Sequence, residues 1–375
     1  MSGRGATLHP SAMHRSLVVM PWRGIVVASC LLAIACDRDH GSTPAPPPDA
    51  PAVAAVPTAT PAAPPSPPAP PEVPGGGPDP LTLDPSYSTS KGSPNEGSLE
   101  GGVPLPLSGP GYRFTPRKKP ERRHGTVELV AALVRAATHV DAHHPKSDPP
   151  SILTLGDIGM PQGGEIAGHG SHRAGRDADV MFYLQREDGT PFEGKAIPLD
   201  PEGRGTDYGD LADPSDDIPV RIDLPRTWAF VAALLADDTV QIQQIYVVEH
   251  VRAMLLAQGE QAKADPAILA RFGDVTCQPR FPHDDHMHIR VFCTAEDIAG
   301  GCNDVAPIFP WQRALLKSQG AAPVAPPKRK TAKPKLTSVE EAREKAGPMD
   351  AAVTEFLDRR RAWAKPPHPG RRWCK

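Results

Sequence analysis

Proline sets how much of this chain can fold. The chain has 48 prolines among 375 residues, and from Gly41 to Pro80 it is almost only Pro, Ala, Thr, Ser and Val. Such a stretch has no apolar periodicity and favours extended, solvated polyproline geometry, so it reads as a semi-rigid spacer. Aromatics make up only 5% of residues. The expectation is one globular domain with long disordered flanks. A net charge of −3 and a pI near 6.5 give no bulk reason to expect nucleic-acid binding.

The N-terminus reads as an export signal. Arg15 and Arg23 precede an apolar run from Gly24 to Ala35, too short to span a bilayer and ending in small residues. Cys36 follows Ala33-Ile34-Ala35 directly, which resembles the lipobox of bacterial lipoproteins. Two outcomes stay open: acylation of Cys36 with membrane anchoring, or ordinary cleavage with a soluble exported product. Either implies an oxidising compartment. With Cys30 lost and Cys36 acylated, Cys277, Cys293, Cys302 and Cys374 remain, an even number that allows two disulfides. Cys293 and Cys302 close a short loop and form the favoured pair. Cys277 with Cys374 is left by subtraction.

The expected organisation is a signal segment over 1–36, a linker over 37–96, a folded domain over 97–313, a basic Pro-rich linker over 314–336 and a helical, basic tail over 337–375. Within the domain, Val127, Val130, Leu133, Val134 and Ala137 repeat at helical spacing over 126–140, with Thr126 as N-cap. A second helix is expected over 225–236, with Pro225 in its first turn, and a third over 251–258. Strands are expected over 151–155, 178–184, 244–248 and 286–293. Helices and strands mix without regular alternation, so the fold class is α+β: a small antiparallel sheet with flanking helices. In the tail, Ser338-Val-Glu-Glu341 looks like a capping box opening a polar helix. The basic end, carrying Trp363 and Trp373, reads as a solvated tail or as a contact for an anionic wall or lipid surface.

Two histidine clusters carry the chemistry. His169 and His172 precede Asp177 and Asp179, and His283, Asp284, Asp285, His286 and His288 lie within six residues further on. Side chains alternate along a strand, so His286, His288 and Arg290 share one face while Met287, Ile289 and Val291 take the other. Asp177 and Asp179 likewise share a face. Gly175 suits the turn that lets His172 and Asp179 converge on one ion. Two imidazoles and a carboxylate are the ligand set of a catalytic zinc with one open position. Asp284 and Asp285 read either as further ligands or as carboxylates that orient imidazoles. His124 and His250 stand alone, and His143-His144 beside Pro145 reads as a loop feature.

HGSHRAGRDADV from His169 and PHDDHMHIRVFC from Pro282 resemble the penicillin-insensitive murein endopeptidases, relatives of the lysostaphin-type, D-Ala-D-Ala carboxypeptidase and hedgehog-like zinc peptidases. GSLEGGVPLPLSGPGY, LGDIGMPQGG, IDLPRTW and QQIYVV extend the likeness in the same order, roughly over Gly97 to Cys302. The resemblance implies a single zinc site with His172, Asp179 and His288 as ligands. His286 would be the general base, and His169 and His283 accessory active-site histidines. The implied substrate is the D-alanyl-meso-diaminopimelyl cross-link of peptidoglycan in the periplasm, and β-lactams would not inhibit. Relatives pair a cysteine near the start of the domain with one near its end; here none lies between Cys36 and Cys277, so Cys374 must pair differently or stay free. The second zinc of some relatives is not expected, because no histidine falls between His172 and His250. Two other activities remain open: a D,D- or L,D-carboxypeptidase on stem peptides, and a non-catalytic wall-binding lipoprotein.

Overall fold

A computed structural model describes residues 76–327, 339–363 and 374. The export signal, Cys36, most of the spacer, Ser338 of the capping box and Trp373 lie outside the described residues. No helix among those described is long and apolar enough to cross a membrane.

The architecture is α+β, but the central sheet is neither small nor purely antiparallel. Seven strands run in the spatial order Thr276–Cys277, Ile242–Tyr246, His286–Val291, Asp177–Met181, Leu153–Leu155, Tyr112–Phe114 and Ser108–Gly109. Two neighbouring pairs are parallel: Ile242–Tyr246 with Thr276–Cys277, and Tyr112–Phe114 with Leu153–Leu155. The reason is topological. A strand followed by a helix returns to the same end of the sheet, so the next strand lies parallel. Helix α1 (Val127–His143) makes one such crossover; α2 (Leu224–Ala236) precedes the second, made by α3 (Glu249–Gln261) and α4 (Pro266–Val275). The outer strands are only two or three residues long, below what alternation in a sequence can reveal.

After Met181 the chain leaves this sheet, so the single strand expected over 178–184 is split. Leu184–Arg186 joins a separate four-stranded sheet with Pro191–Phe192, Arg204–Asp207 and Ile218–Ile222. Regular structure also begins ahead of Gly97: a 3-10 turn at Pro85–Tyr87 leads into Thr89–Ser93, which pairs with Glu96–Glu100.

The core fills the space between helices and sheet. Leu129, Val130, Leu133 and Ala137 of α1 are buried with Leu153, Leu155 and Val180 of the sheet. Thr126 occupies the cap position of α1 but makes no side-chain cap bond; the Val127 amide donates to Ser88 Oγ instead (2.9 Å). His143 is the last residue of α1 rather than part of a loop. On the His286–Val291 strand, Met287, Ile289 and Val291 are fully buried. The alternation therefore holds, and the histidine face is aimed away from the core.

Beyond α5 (Ala295–Ala299) and α6 (Pro310–Ser318) come α7 (Val339–Ala346) and α8 (Ala351–Trp363). The tail is not wholly solvated. Val353 and Phe356 are buried, and Phe356 packs edge-on against Tyr208 (6.1 Å between ring centres). Cys374 is bonded to Cys277, and Cys293 to Cys302.

Candidate metal centre

Cross-strand register brings the two sequence clusters together. His286–Val291 runs antiparallel to Asp177–Met181, with His288 opposite Asp179 and Arg290 opposite Asp177. His172 enters from the preceding turn at φ 65°, a left-handed conformation uncommon for a non-glycine residue. Gly175 completes that turn at φ +69°; a Cβ there would lie 2.7 Å from the Leu99 side chain. His283 also sits at φ 50°. Each of the two histidine clusters thus holds one histidine in this sparsely populated backbone region, where functional sites are over-represented.

Asp179 is the hub. His172 Nε2 and His288 Nδ1 each lie 3.2 Å from Asp179 Oδ1, and His286 Nε2 lies 3.4 Å from the same oxygen. His169 Nδ1 is 3.9 Å from Asp179 Oδ2. His283 stands one layer out, its ring 5.0 Å from that of His286 and 5.7 Å from that of His288. All six residues expected from sequence therefore meet at one place. His169, Asp179, His283, His286 and His288 line a cleft of about 620 Å³, and His172 lies fully buried beneath it.

The outward-facing ring nitrogens are fixed by their partners. His172 Nδ1 must donate to the Ile158 carbonyl (3.0 Å), which can only accept. His288 Nε2 donates to Asp177 Oδ1 (2.8 Å), His169 Nε2 to Asp157 Oδ2 (2.8 Å) and His286 Nδ1 to Asp285 Oδ1 (2.6 Å). In its neutral form each ring turns its remaining lone pair toward Asp179. Lone pairs facing a carboxylate repel it unless a cation lies between them. His172 Nε2 and Asp179 Oδ1 are both buried without a hydrogen-bond partner, as atoms kept for a metal would be. Two donor atoms each about 2.1 Å from a tetrahedral zinc sit roughly 3.4 Å apart, close to the separations seen here. The residues fit the group. Among the described residues the set whose ligand atoms all lie within 4.8 Å of one another is His169, His172 and Asp179, without His288, so His169 and His288 compete for the third place.

Electrostatics agree. Burial alone would raise the Asp179 pKa, but the surrounding imidazoles hold it well below the usual carboxylate range. Burial works against a charged His286, yet Asp179 and Asp285 outweigh it and push its pKa up to about 10. A metal bound beside Asp179 would have to compete with protons on these rings. Burial, reinforced by His288 and His286, pushes His283 down to about 4, so it is neutral at pH 7.

Several members of the site carry little or no signal in the sequence. Asp177 is fully buried and accepts from His288 Nε2, Arg290 Nε (2.7 Å) and the His172 amide (3.2 Å), tying both clusters together. Its place two residues before Asp179 was the available clue. Arg290 in turn donates to Tyr246 Oη (3.0 Å). Asp157 takes Lys118 (3.1 Å) and Arg122 (3.3 Å) besides His169. The two carboxylates left open in sequence divide: Asp285 orients His286, whereas Asp284 turns away to α8.

Residues 90–313 match the family described as penicillin-insensitive murein endopeptidase. The chain is 30% identical over 223 residues to a penicillin-insensitive murein endopeptidase of Klebsiella pneumoniae, covering 58% of this chain and 70% of that relative. A namesake from Escherichia coli is 28% identical over 251 residues, covering 67% of this chain and 81% of the relative. One from Haemophilus influenzae is 27% identical over 234 residues, with 61% and 71% covered.

Proposed function

This chain belongs to the penicillin-insensitive murein endopeptidase family, and from that premise we propose that it hydrolyses D-alanyl-meso-diaminopimelyl cross-links in peptidoglycan, using zinc held by His172, Asp179 and His288. The observation that carries the reading is the convergence of His172 Nε2 and His288 Nδ1 on one Asp179 oxygen, each at 3.2 Å. His169 is the less favoured third ligand, because its nitrogen lies farther away, at 3.9 Å, and faces the other oxygen. Zinc bound there supplies a Lewis acid that activates water and polarises the scissile carbonyl.

The chain's own residues supply proton handling and placement. His286 lines the cleft with Nε2 beside Asp179, at 3.4 Å, while Asp285 grips Nδ1 at 2.6 Å. Nε2 takes the proton of the attacking water, Asp285 stabilises the imidazolium that forms, and the same nitrogen returns the proton to the leaving amine. His283 donates from Nδ1 to the Phe281 carbonyl (2.7 Å), which leaves Nε2 as an acceptor toward substrate or water. Since its charged form is disfavoured, His283 orients rather than protonates. His169, anchored on Asp157, lines the same cleft. No serine nucleophile is needed, so β-lactams would not inhibit. Export by residues 1–36, anchoring through Cys36 and a spacer that reaches the wall remain part of this proposal.

The direct test is digestion of purified sacculi by the full exported chain, with and without a chelator, read by muropeptide chromatography. Conversion of dimeric muropeptides to monomers, lost on chelation and restored by zinc, is expected. Release of free D-Ala without loss of dimers would mean a carboxypeptidase. Binding to sacculi without any cleavage would defeat the enzyme reading. His286→Ala is expected to retain zinc while the rate falls about 10²–10⁴-fold, the usual contribution of a positioned base. Metal content near one per chain alongside an unchanged rate would remove His286 from that role.

A further inference from the structure

The C-terminal helix reaches back into the site from outside the family-matched segment. Arg360 of α8 donates to Asp284 through Nε (2.8 Å to Oδ2) and Nη2 (2.6 Å to Oδ1), and Trp363 Nε1 donates to Oδ2 (2.8 Å). Asp284 is fully buried, and among the described residues these are the hydrogen bonds its carboxylate receives. Its carbonyl accepts from the Leu199 amide (2.8 Å), and the His283 carbonyl accepts from Val248 N (3.1 Å). Arg360 also lines the cleft beside His283 and His286. Trp363 packs edge-on against Phe356 (5.9 Å between ring centres) and His250 (6.0 Å). Farther on, Cys374 is bonded to Cys277 and its amide donates to the Gln278 carbonyl (3.0 Å). Cys374 and α8 therefore hold the 278–286 loop near its two ends.

We propose that Arg360 and Trp363 are positioning residues, which hold the His283-Asp284-Asp285-His286 turn in its working shape by clamping the buried Asp284. Asp284 sits between His283, held at φ 50°, and Asp285, which orients His286. Without the clamp a buried carboxylate is left in the interior without the donors that satisfy it. Such a group moves out toward water rather than stay unpaired. That movement displaces both neighbours, and with them the Asp285–His286 pair. Arg360 and Trp363 thus do for the proton-transferring histidine what Asp177 does for His288. This inference rests on the reading of His286 as the general base.

The test uses the full exported chain loaded with zinc, cross-linked muropeptide dimers as substrate, and hydrogen exchange of the 278–286 amides. Arg360→Ala is expected to lower kcat about 10–100-fold, the usual cost of losing a residue that orients a site's ligands, with KM within about twofold and zinc content unchanged. The loop amides exchange faster in this variant, whether or not the chain cleaves dimers. Arg360→Lys, which keeps the charge but loses the paired geometry, is expected to fall between and guards against misfolding of the alanine variant. Asp284→Asn combined with Arg360→Ala is no worse than the poorer single variant, because both remove one clamp. Arg359→Ala, exposed on the same helix, changes nothing. Unchanged loop exchange in Arg360→Ala overturns the proposal, as does an effect on KM alone. A wild-type chain that cleaves nothing, yet shows faster loop exchange on Arg360→Ala, overturns the endopeptidase reading and leaves the clamp standing.

Discussion

Alanine at His172 is expected to abolish both zinc binding and cleavage, with hydrolysis falling to background. The ring is fully buried, its Nδ1 is committed to the Ile158 carbonyl, and its Nε2 faces Asp179 at 3.2 Å with no other partner. His172→Asn is the companion variant, since asparagine tolerates the left-handed backbone at φ 65° better than alanine. Metal content by elemental analysis, with circular dichroism to establish folding, separates loss of the ion from loss of the structure. A folded His172→Ala chain that keeps one zinc and still converts dimers to monomers would show that the ligand set is wrong. The contrast with His286→Ala, which keeps the metal, distinguishes a ligand from a base.

Asp177→Ala is expected to be the most destabilising single change near the site. Arg290 is buried at 5% exposure, and its Nε is bonded to Asp177 at 2.7 Å. Removing one member of a buried ion pair leaves an uncompensated charge and costs about 3–5 kcal/mol. Each kcal/mol lowers Tm by about 2–4 °C in a domain of this size. His288 also loses the acceptor that fixes its tautomer, so metal affinity falls as well. Asp177→Asn retains an acceptor and is expected to be milder. The pH dependence has a definite sign. Burial opposes ionisation of Asp177, but Arg290 and His288 hold its pKa far below the ordinary value. The folded state then binds fewer protons than the unfolded state, so this stability is present above about pH 4 and lost as pH falls toward the folded value. Chemical denaturation of wild type and Asp177→Asn at pH 7 and pH 3 measures it; a gap that widens on acidification would contradict the assignment.

Much of the site was legible because strand alternation is a local rule. His286 and His288 share a face wherever that strand lies, and so do Asp177 and Asp179. The core helices were legible for the same reason: α1 and α2 repeat apolar residues at a period that needs no knowledge of partners. Edge strands of two or three residues show no period at all, so the width of the sheet and its parallel pairs stayed hidden. Arg360 gave no signal either. It reads as one basic residue in a polar tail, 76 positions from the aspartate it binds.

The amino-acid order by itself determined which side chains face away from the core at the two clusters and how four cysteines could pair. Tertiary structure alone decided that His288 sits opposite Asp179, that Asp177 joins both clusters and that α8 closes over Asp284. The division follows from range. Side-chain direction along a helix or strand is set by backbone geometry over a few residues. Partners far apart in sequence are chosen only when burial makes an unpaired charge too costly to leave.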